Sequence, residues 1–555
     1  MLGAAVFLPF VHHTQSTIYA ANCSPWRRAM GGPRAGKVLV LGVLVAFGLG
    51  SSAEVRAGEP PVHASPSAAP APVAAPLVFS PHDIAFVDAL TWGANASTMA
   101  RFHALGVEGW LKEQLHPARD TLPAEAQRQI EALEISRRSA PQLVTEFRDR
   151  DAALKNLPSP EEKGAAQKVY QADMTARARE AATAAILRAL YAPDQLRERM
   201  VWFWLNHFNV HQAKGNLRLL MADYQDNAIR PHALGKFRDL LAATLRHPAM
   251  LRYLDNAENA AGRINENYAR EIMELHTLGV GSGYSQKDVE ELARILTGVG
   301  IAGPNIPRVK PGQEALLIRD GLFEFNPARH DFGDKVLLGR TIEGQGFAEV
   351  EEALDILSRA PATARHVSRD IAIYFVADNP PEALVQRMAD TFQKSDGDIA
   401  AVLATMIRSP EFEASLGKRF KDPVRYVFSA VRLAYDDRVI LNTQPVQNWL
   451  NRLGEGLYNH ETPDGYPLVS TAWTASGQMT ARFEIARQIG SGAAGLFKPA
   501  EEGAVEQPAF PLLQNSLYFS GLSARLSPAT RLALAQAISP QDWNTLFLSS
   551  PDFMQ

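Results

Sequence analysis

Cysteine is almost missing from this chain of 555 residues: the single one, Cys23, lies upstream of any plausible start of a mature folded body. The remainder therefore has no disulfide, no thiolate nucleophile and no Cys-ligated zinc or iron–sulfur centre. A charge imbalance is missing too. Lys+Arg 56 against Asp+Glu 60 gives a net −4, and no Lys/Arg cluster stands out, so no bulk field favours nucleic acid or an anionic membrane. There is no fixed internal period of solenoid type. No G-x-S-x-G, Walker A or EF-hand loop is present. GVGSGY (279–284) follows a helical segment, so it fails as a dinucleotide fingerprint. DFG (331–333) lacks the other kinase elements.

What is present begins with the N-terminus. Arg27, Arg28, Arg34 and Lys37 precede the apolar run VLVLGVLVAFGLG (38–50), and small residues follow it. This is the pattern of a secretory signal, too short for a comfortable bilayer span. Cleavage is expected after Ala53 or Ala57, within a signal region 1–57 whose usual start would be Met30. The expected location is periplasmic or secreted; the alternative is a membrane anchor formed by an uncleaved signal. Residues 58–76, rich in Pro and Ala, read as an extended tether.

From about residue 77 the hydrophobic period is helical almost throughout. The 120–190 stretch, broken at Pro158 and Ser159-Pro160, reads as a long helical hairpin. One excursion interrupts the pattern. LLIRDGLFEF (316–325) alternates around Asp320-Gly321, a type I′ hairpin signal, and KVLLGRTI (335–342) reads as a possible third strand. The expected fold class is all-α: a multi-helix globular body over 77–555 with one small β-hairpin element near 316–342.

Several blocks in a fixed order resemble one bacterial family of exported proteins, "domain of unknown function 1800". They are LTWGANASTMARFHALGVEGWLKEQLHP (90–117), RERMVWFWLNHFNVH (197–211), HPAMLRYLDN (247–256), NENYAREIMELHTLGVGSGYSQKDVEELARILTG (265–298), FEFNPARHDFGDKVLLG (323–339), KDPVRYVFSAVRLAY (421–435) and LGEGLYNHETPDGYP (453–467). Tyr466 stands where the family pattern has Trp, and the 120–190 hairpin matches none of these blocks. The resemblance implies an exported helical protein that accompanies an alkaline-phosphatase-like exported partner, of the "domain of unknown function 1501" family. It implies no particular reaction.

Three blocks carry candidate chemistry. At ~100° per residue, Glu266, Asn267, Arg270, Glu271, Glu274 and Thr277 share one arc of a 265–278 helix. Tyr268, Ala269, Ile272, Met273, Leu275 and His276 take the other. Arg270, four residues from both Glu266 and Glu274, is placed to bridge the two carboxylates. That face is either a solvated, ion-paired surface or a carboxylate cluster in a cleft; lining by protein and burial of Arg270 are the expectation. Asn265 is a possible N-cap. His207 and His211 have the i, i+4 spacing of zinc-binding histidine pairs, but position 208 is Phe where such a motif has Glu, so they are weak metal candidates. His330, Asp331, Asp334 and Lys335 occupy a loop beside the hairpin. Tyr466 and Trp473 fall in a turn-rich loop, where aromatics either stack on sugar rings or pack in the core.

Two functions fit. One is a hydrolase acting on a glycan or another polymer, with Glu266, Glu271, Glu274 and Asp331 as acid and base, Arg270 as organiser, and His207 or His330 as proton shuttle. The other is a non-enzymatic exported scaffold or binding protein beside a neighbouring enzyme. Convergence of 207, 266–276 and 330–335 in one cleft would favour the first.

Overall fold

The computed structural model describes residues 78–118, 122–498, 510–515 and 517–555. The signal-like segment, Met30, Cys23 and the 58–76 tether lie outside them. Ser80 starts the first helix, Pro81–Leu90, by accepting from the Asp83 amide at 3.0 Å, with Pro81 in the first turn where a missing N–H costs nothing. Helices then account for 62% of the structure. The protein is all-α, with a few short strands.

The 140–191 region is a helical hairpin. A Ser139–Gln142 capping box opens Ala140–Lys155, and Ser159 with Pro160 opens Pro160–Tyr191. Phe147, Tyr170, Met174 and Leu219 form a small core of their own beneath it. Short helices Ala124–Ala132 and Glu134–Arg137 precede the hairpin.

The centre of the molecule is welded by buried arginines. In the helix Gln195–His207, Arg199 donates to the Ala89 carbonyl and lies over Phe375 at 4.5 Å and Tyr374 at 4.8 Å. Its neighbour Glu198 pairs with Arg230. Arg432, from the helix Pro423–Tyr435, donates to the Gly93 carbonyl (3.1 Å), Asn95 Oδ1 (3.2 Å) and Thr98 Oγ1 (2.8 Å). Buried guanidinium groups need such partners, so the early and late blocks of the sequence meet for structural reasons. Trp473 is buried, and its indole donates to the Pro467 carbonyl at 3.2 Å; core packing is its use.

The β element differs from the single hairpin expected. Strands β1 (Val299–Ile301), β2 (Ile318–Asp320) and β3 (Phe323–Phe325) form an antiparallel sheet in the order β1-β3-β2. The sequence pattern missed β1, because three residues are too few to show alternation. Asp320 pairs with Phe323, so the turn centres on Gly321-Leu322, not Asp320-Gly321. Strands β4 (Lys335–Leu337) and β5 (Arg340–Ile342) form a separate two-stranded sheet, not a third strand of the first. Its turn residues Leu338 and Gly339 have φ of 48° and 76°. Two successive positive φ values are what a type I′ turn requires, and here one of them falls on leucine.

Candidate functional site

The helix expected over 265–278 is shorter and bends its register. Asn267–Glu271 is α-helical, and Ile272–His276 is a π-helical turn. Asn265 lies outside the helix and accepts from the Asn267 amide at 3.0 Å, which supplies the start. The Asn267 amide group reaches back to the Leu254 carbonyl at 3.1 Å. A π turn adds a residue per turn, so the ~100° wheel fails beyond Glu271. Thr277, expected on the polar arc, is fully buried and donates to the Ile272 carbonyl five residues back, at 2.7 Å. His276 is buried as its apolar arc implied.

Arg270 does bridge its two glutamates, at 3.1 Å to Glu266 and 3.4 Å to Glu274. Gln286, from the helix Gln286–Ile295, accepts from Arg270 at 2.9 Å and donates to Glu266 at 2.8 Å. One protein neighbour therefore covers this ladder. The side chains nevertheless remain 37%, 35% and 26% exposed for Arg270, Glu266 and Glu274. The burial expected of Arg270 is not what the fold supplies, because the next helix packs over only one end of the face.

Glu271 is different. It is half-buried, and no hydrogen bond or ion pair to it is found among the described residues. Burial, reinforced by the charges of Glu274 and Asp464, raises its pKa above the ordinary carboxylate value, and Arg270 offsets this in part. Asp464 arrives from a loop almost two hundred residues later. That loop is held against the Gln195–His207 helix and the turn after it. The Asn206 side chain donates to the Tyr466 carbonyl (2.9 Å) and accepts from its amide (2.6 Å), while Asn209 donates to the carbonyls of His460 (3.1 Å) and Thr462 (2.7 Å). Gly465, at φ 71°, lies so close that a Cβ would sit 2.2 Å from the Asn206 carbonyl oxygen. Tyr253 feels the charge of both carboxylates. Its hydroxyl donates to the Glu461 carbonyl at 2.7 Å. Burial, with Asp464 and Glu271 nearby, pushes its pKa up to about 12. His460 Nε2 stands 3.4 Å from Asp464.

His207 is the last residue of its helix, so the helical i, i+4 relation to His211 does not exist; the chain turns at Phe208. Its Nε2 donates to the His276 carbonyl at 3.1 Å, and His366 Nε2 donates to the Leu275 carbonyl at 3.0 Å. Two histidines thus satisfy carbonyls at the end of the π turn. Asp370 stands 3.7 Å from His207 and 3.6 Å from His366. Burial, with His207 and His366 beside it, keeps the His276 ring well below the usual histidine range. Among the described residues there is no group of three or more His, Cys, Asp or Glu that could hold a metal ion.

His330 and Asp331 belong to a separate, closed network. His330 donates to the Thr297 carbonyl (2.7 Å) and to Glu349 (2.9 Å), and Lys335 closes the same carboxylate. His330, Lys335 and Glu349 side chains are 0% exposed, so His330, expected as a proton shuttle, has no direct contact with solvent. Asp331 is gripped by Arg294 at 2.9 Å and 3.2 Å, which with the Gly333 amide holds its pKa low. Gln286 and Arg294 sit on one helix, roughly 12 Å apart along its axis, and separate this network from the Glu266 ladder. The three blocks do not meet in one cleft.

Glu271 has the most chemical capacity here: a carboxyl that retains its proton more readily than usual, with Asp464, itself 3.4 Å from His460, among the charges that act on it. Sequence reasoning named Glu271 but missed Asp464, Tyr253, His366 and Asp370. The His460-x3-Asp464 spacing within NHETPDG was the one local signal.

Fold and site together define an all-α protein whose central helix presents an acidic strip to a loop from the C-terminal third. The chain belongs to the family described as "Protein of unknown function (DUF1800)", whose sequence model matches residues 85–555. No curated protein and no solved structure matches it.

Proposed function

We propose that the protein is an exported hydrolase acting on a glycan or another polymer by acid–base chemistry at Glu271 and Asp464. The observation that supports this is the environment of Glu271: half-buried, lifted above the ordinary carboxylate pKa, and subject to the charge of a second carboxylate, Asp464, on an independent segment. Two carboxyl groups in unlike surroundings are the usual division between proton donor and base or nucleophile. Tyr253 and His460 position the loop carboxylate, and Arg270 keeps Glu266 and Glu274 engaged.

The test is turnover of cell-wall and extracellular polysaccharides by purified protein. Glu271→Gln and Asp464→Asn should each lower it by about 10²–10⁴-fold without loss of melting temperature. Export predicts that N-terminal sequencing of the extracytoplasmic product finds cleavage before residue 60; an intact residue-30 start there would make the segment an anchor.

The second reading is a non-enzymatic scaffold working with an alkaline-phosphatase-like exported partner. It draws support from the placement of His330 and Asp331 in a closed ionic network. Full activity in both variants, or no turnover of any polymer together with co-purification of that partner, would favour it.

A further inference from the structure

A cavity of about 510 Å³ opens between the Pro81–Leu90 helix, the turn at 413–418 and the C-terminal segment. That size is within the range of small-molecule sites. Its inner wall is charged. Asp88 is held by Arg425 at 2.8 Å and Lys421 at 3.5 Å, and Lys421 Nζ also donates to the Phe553 carbonyl at 2.9 Å. Three cations, Lys421, Arg425 and Arg525, act on this one carboxylate. The other acids on the wall are already engaged: Glu413 with His82 at 2.8 Å, and Asp552 with the Ser527 hydroxyl at 2.8 Å. Arg525, by contrast, donates no hydrogen bond and closes no ion pair among the described residues, although it lines the cavity. Gly417 leaves it room, since a Cβ there would stand 2.7 Å from Arg525 Nη2. Lys418, Ser429 and Gln555 complete the polar lining, and Ala85, Leu433, Leu522 and Phe547 are among the apolar residues.

We propose that this cavity is a binding site for a small molecule with an anionic head and a short apolar body, the head held by Arg525 in front of Lys421. A guanidinium fork with all its donors free suits a carboxylate or a phosphate. A guanidinium without an ion-pair partner on the wall disfavours an amine beside it. Desolvation lowers the Lys421 pKa to about 8, with Asp88 opposing and Arg425 and Arg525 adding to the fall; an incoming anion would relieve that cost. This site shares no residue with the Glu271 region, so either proposal can fail alone.

The experiment is calorimetric titration of the full chain with hexanoate, hexyl phosphate, hexylamine and hexan-1-ol. Saturable 1:1 binding of hexanoate, hexyl phosphate or both is expected, and the stronger of the two identifies the head. Arg525→Gln should weaken it by about tenfold or more without moving the melting temperature. Ala414→Trp, at an exposed position on the mouth, should block entry even if the arginine variant proves unstable. No saturable anion binding overturns the proposal. So does hexylamine or hexan-1-ol binding as tightly, or anion binding that survives both substitutions.

Discussion

Two polar networks flank the same helix, Gln286–Ile295, and are built from the same residue types. At its N-terminal end Glu266, Arg270, Glu274 and Gln286 form a ladder whose charged members stay about a third exposed. At its C-terminal end Glu349, Lys335 and His330 are sealed, with Arg294 and Asp331 forming the rim. Sequence spacing pointed to an organised face in the ladder and to a loop of candidate catalytic residues, His330 and Asp331, at the sealed end. The structure reverses their weight. A carboxylate removed from water depends on each partner, whereas one left in water can replace a lost partner with solvent. The comparison teaches that charge pattern locates ion pairs but burial sets their value.

The largest effect should come from breaking the sealed network. Lys335→Met leaves Glu349 ionised and buried beside His330 alone. We expect a loss of about 3–5 kcal/mol in chemical denaturation. Lys335→Met combined with Glu349→Leu should recover part of it, because no lone charge remains. A loss below about 1 kcal/mol for the single change would mean that water reaches the site and that the two networks are alike.

The next contrast is with acid. Burial raises the Glu349 pKa, but bonds from His330 and Lys335 outweigh it, so the net shift is down from 4.5. Asp331, bound by Arg294, is down from 3.8. Carboxylates depressed in the folded state bind protons more readily when unfolded, so their stabilisation is complete above those ordinary values and is lost as pH falls through the folded ones. Melting temperature measured from pH 6 downward should therefore begin to fall near pH 4–5. The fall should be shallower in the Lys335→Met, Glu349→Leu double variant.

Arg270→Ala tests the open ladder and should cost about 0–1 kcal/mol. A cost of several kcal/mol would show that the face is closed in solution.

The smallest effect belongs to Glu271. Its raised pKa means that the folded state holds the proton more tightly; the stabilisation is present below the ordinary value of 4.5 and is lost as pH rises through the folded pKa. Glu271→Gln should thus stabilise the protein at neutral pH by a few tenths of a kcal/mol, discounted for solvent screening, and do nothing at pH 3. Destabilisation at pH 7 would contradict the unfavourable burial on which the acid–base reading of Glu271 rests.

The helical body was legible because helix period and capping are local. Ser80, Ser159 and the Ser285–Asp288 capping box start helices at local Ser-Pro and Ser-x-x-Asp patterns. The i, i+4 bridge of Arg270 was legible for the same reason. The π turn at 272–276 was not. Its carbonyls are satisfied by the side chains of His207 and His366, 69 and 91 residues away in sequence, and no local pattern announces partners at that range. The influence of Asp464 on Glu271 was hidden in the same way, since Asn206, Asn209 and Gly465 must first fix the loop. Local hydrogen bonding thus set where the helices begin and which charges share a turn. Which carboxylates were withdrawn from water waited on contacts made only when distant segments packed.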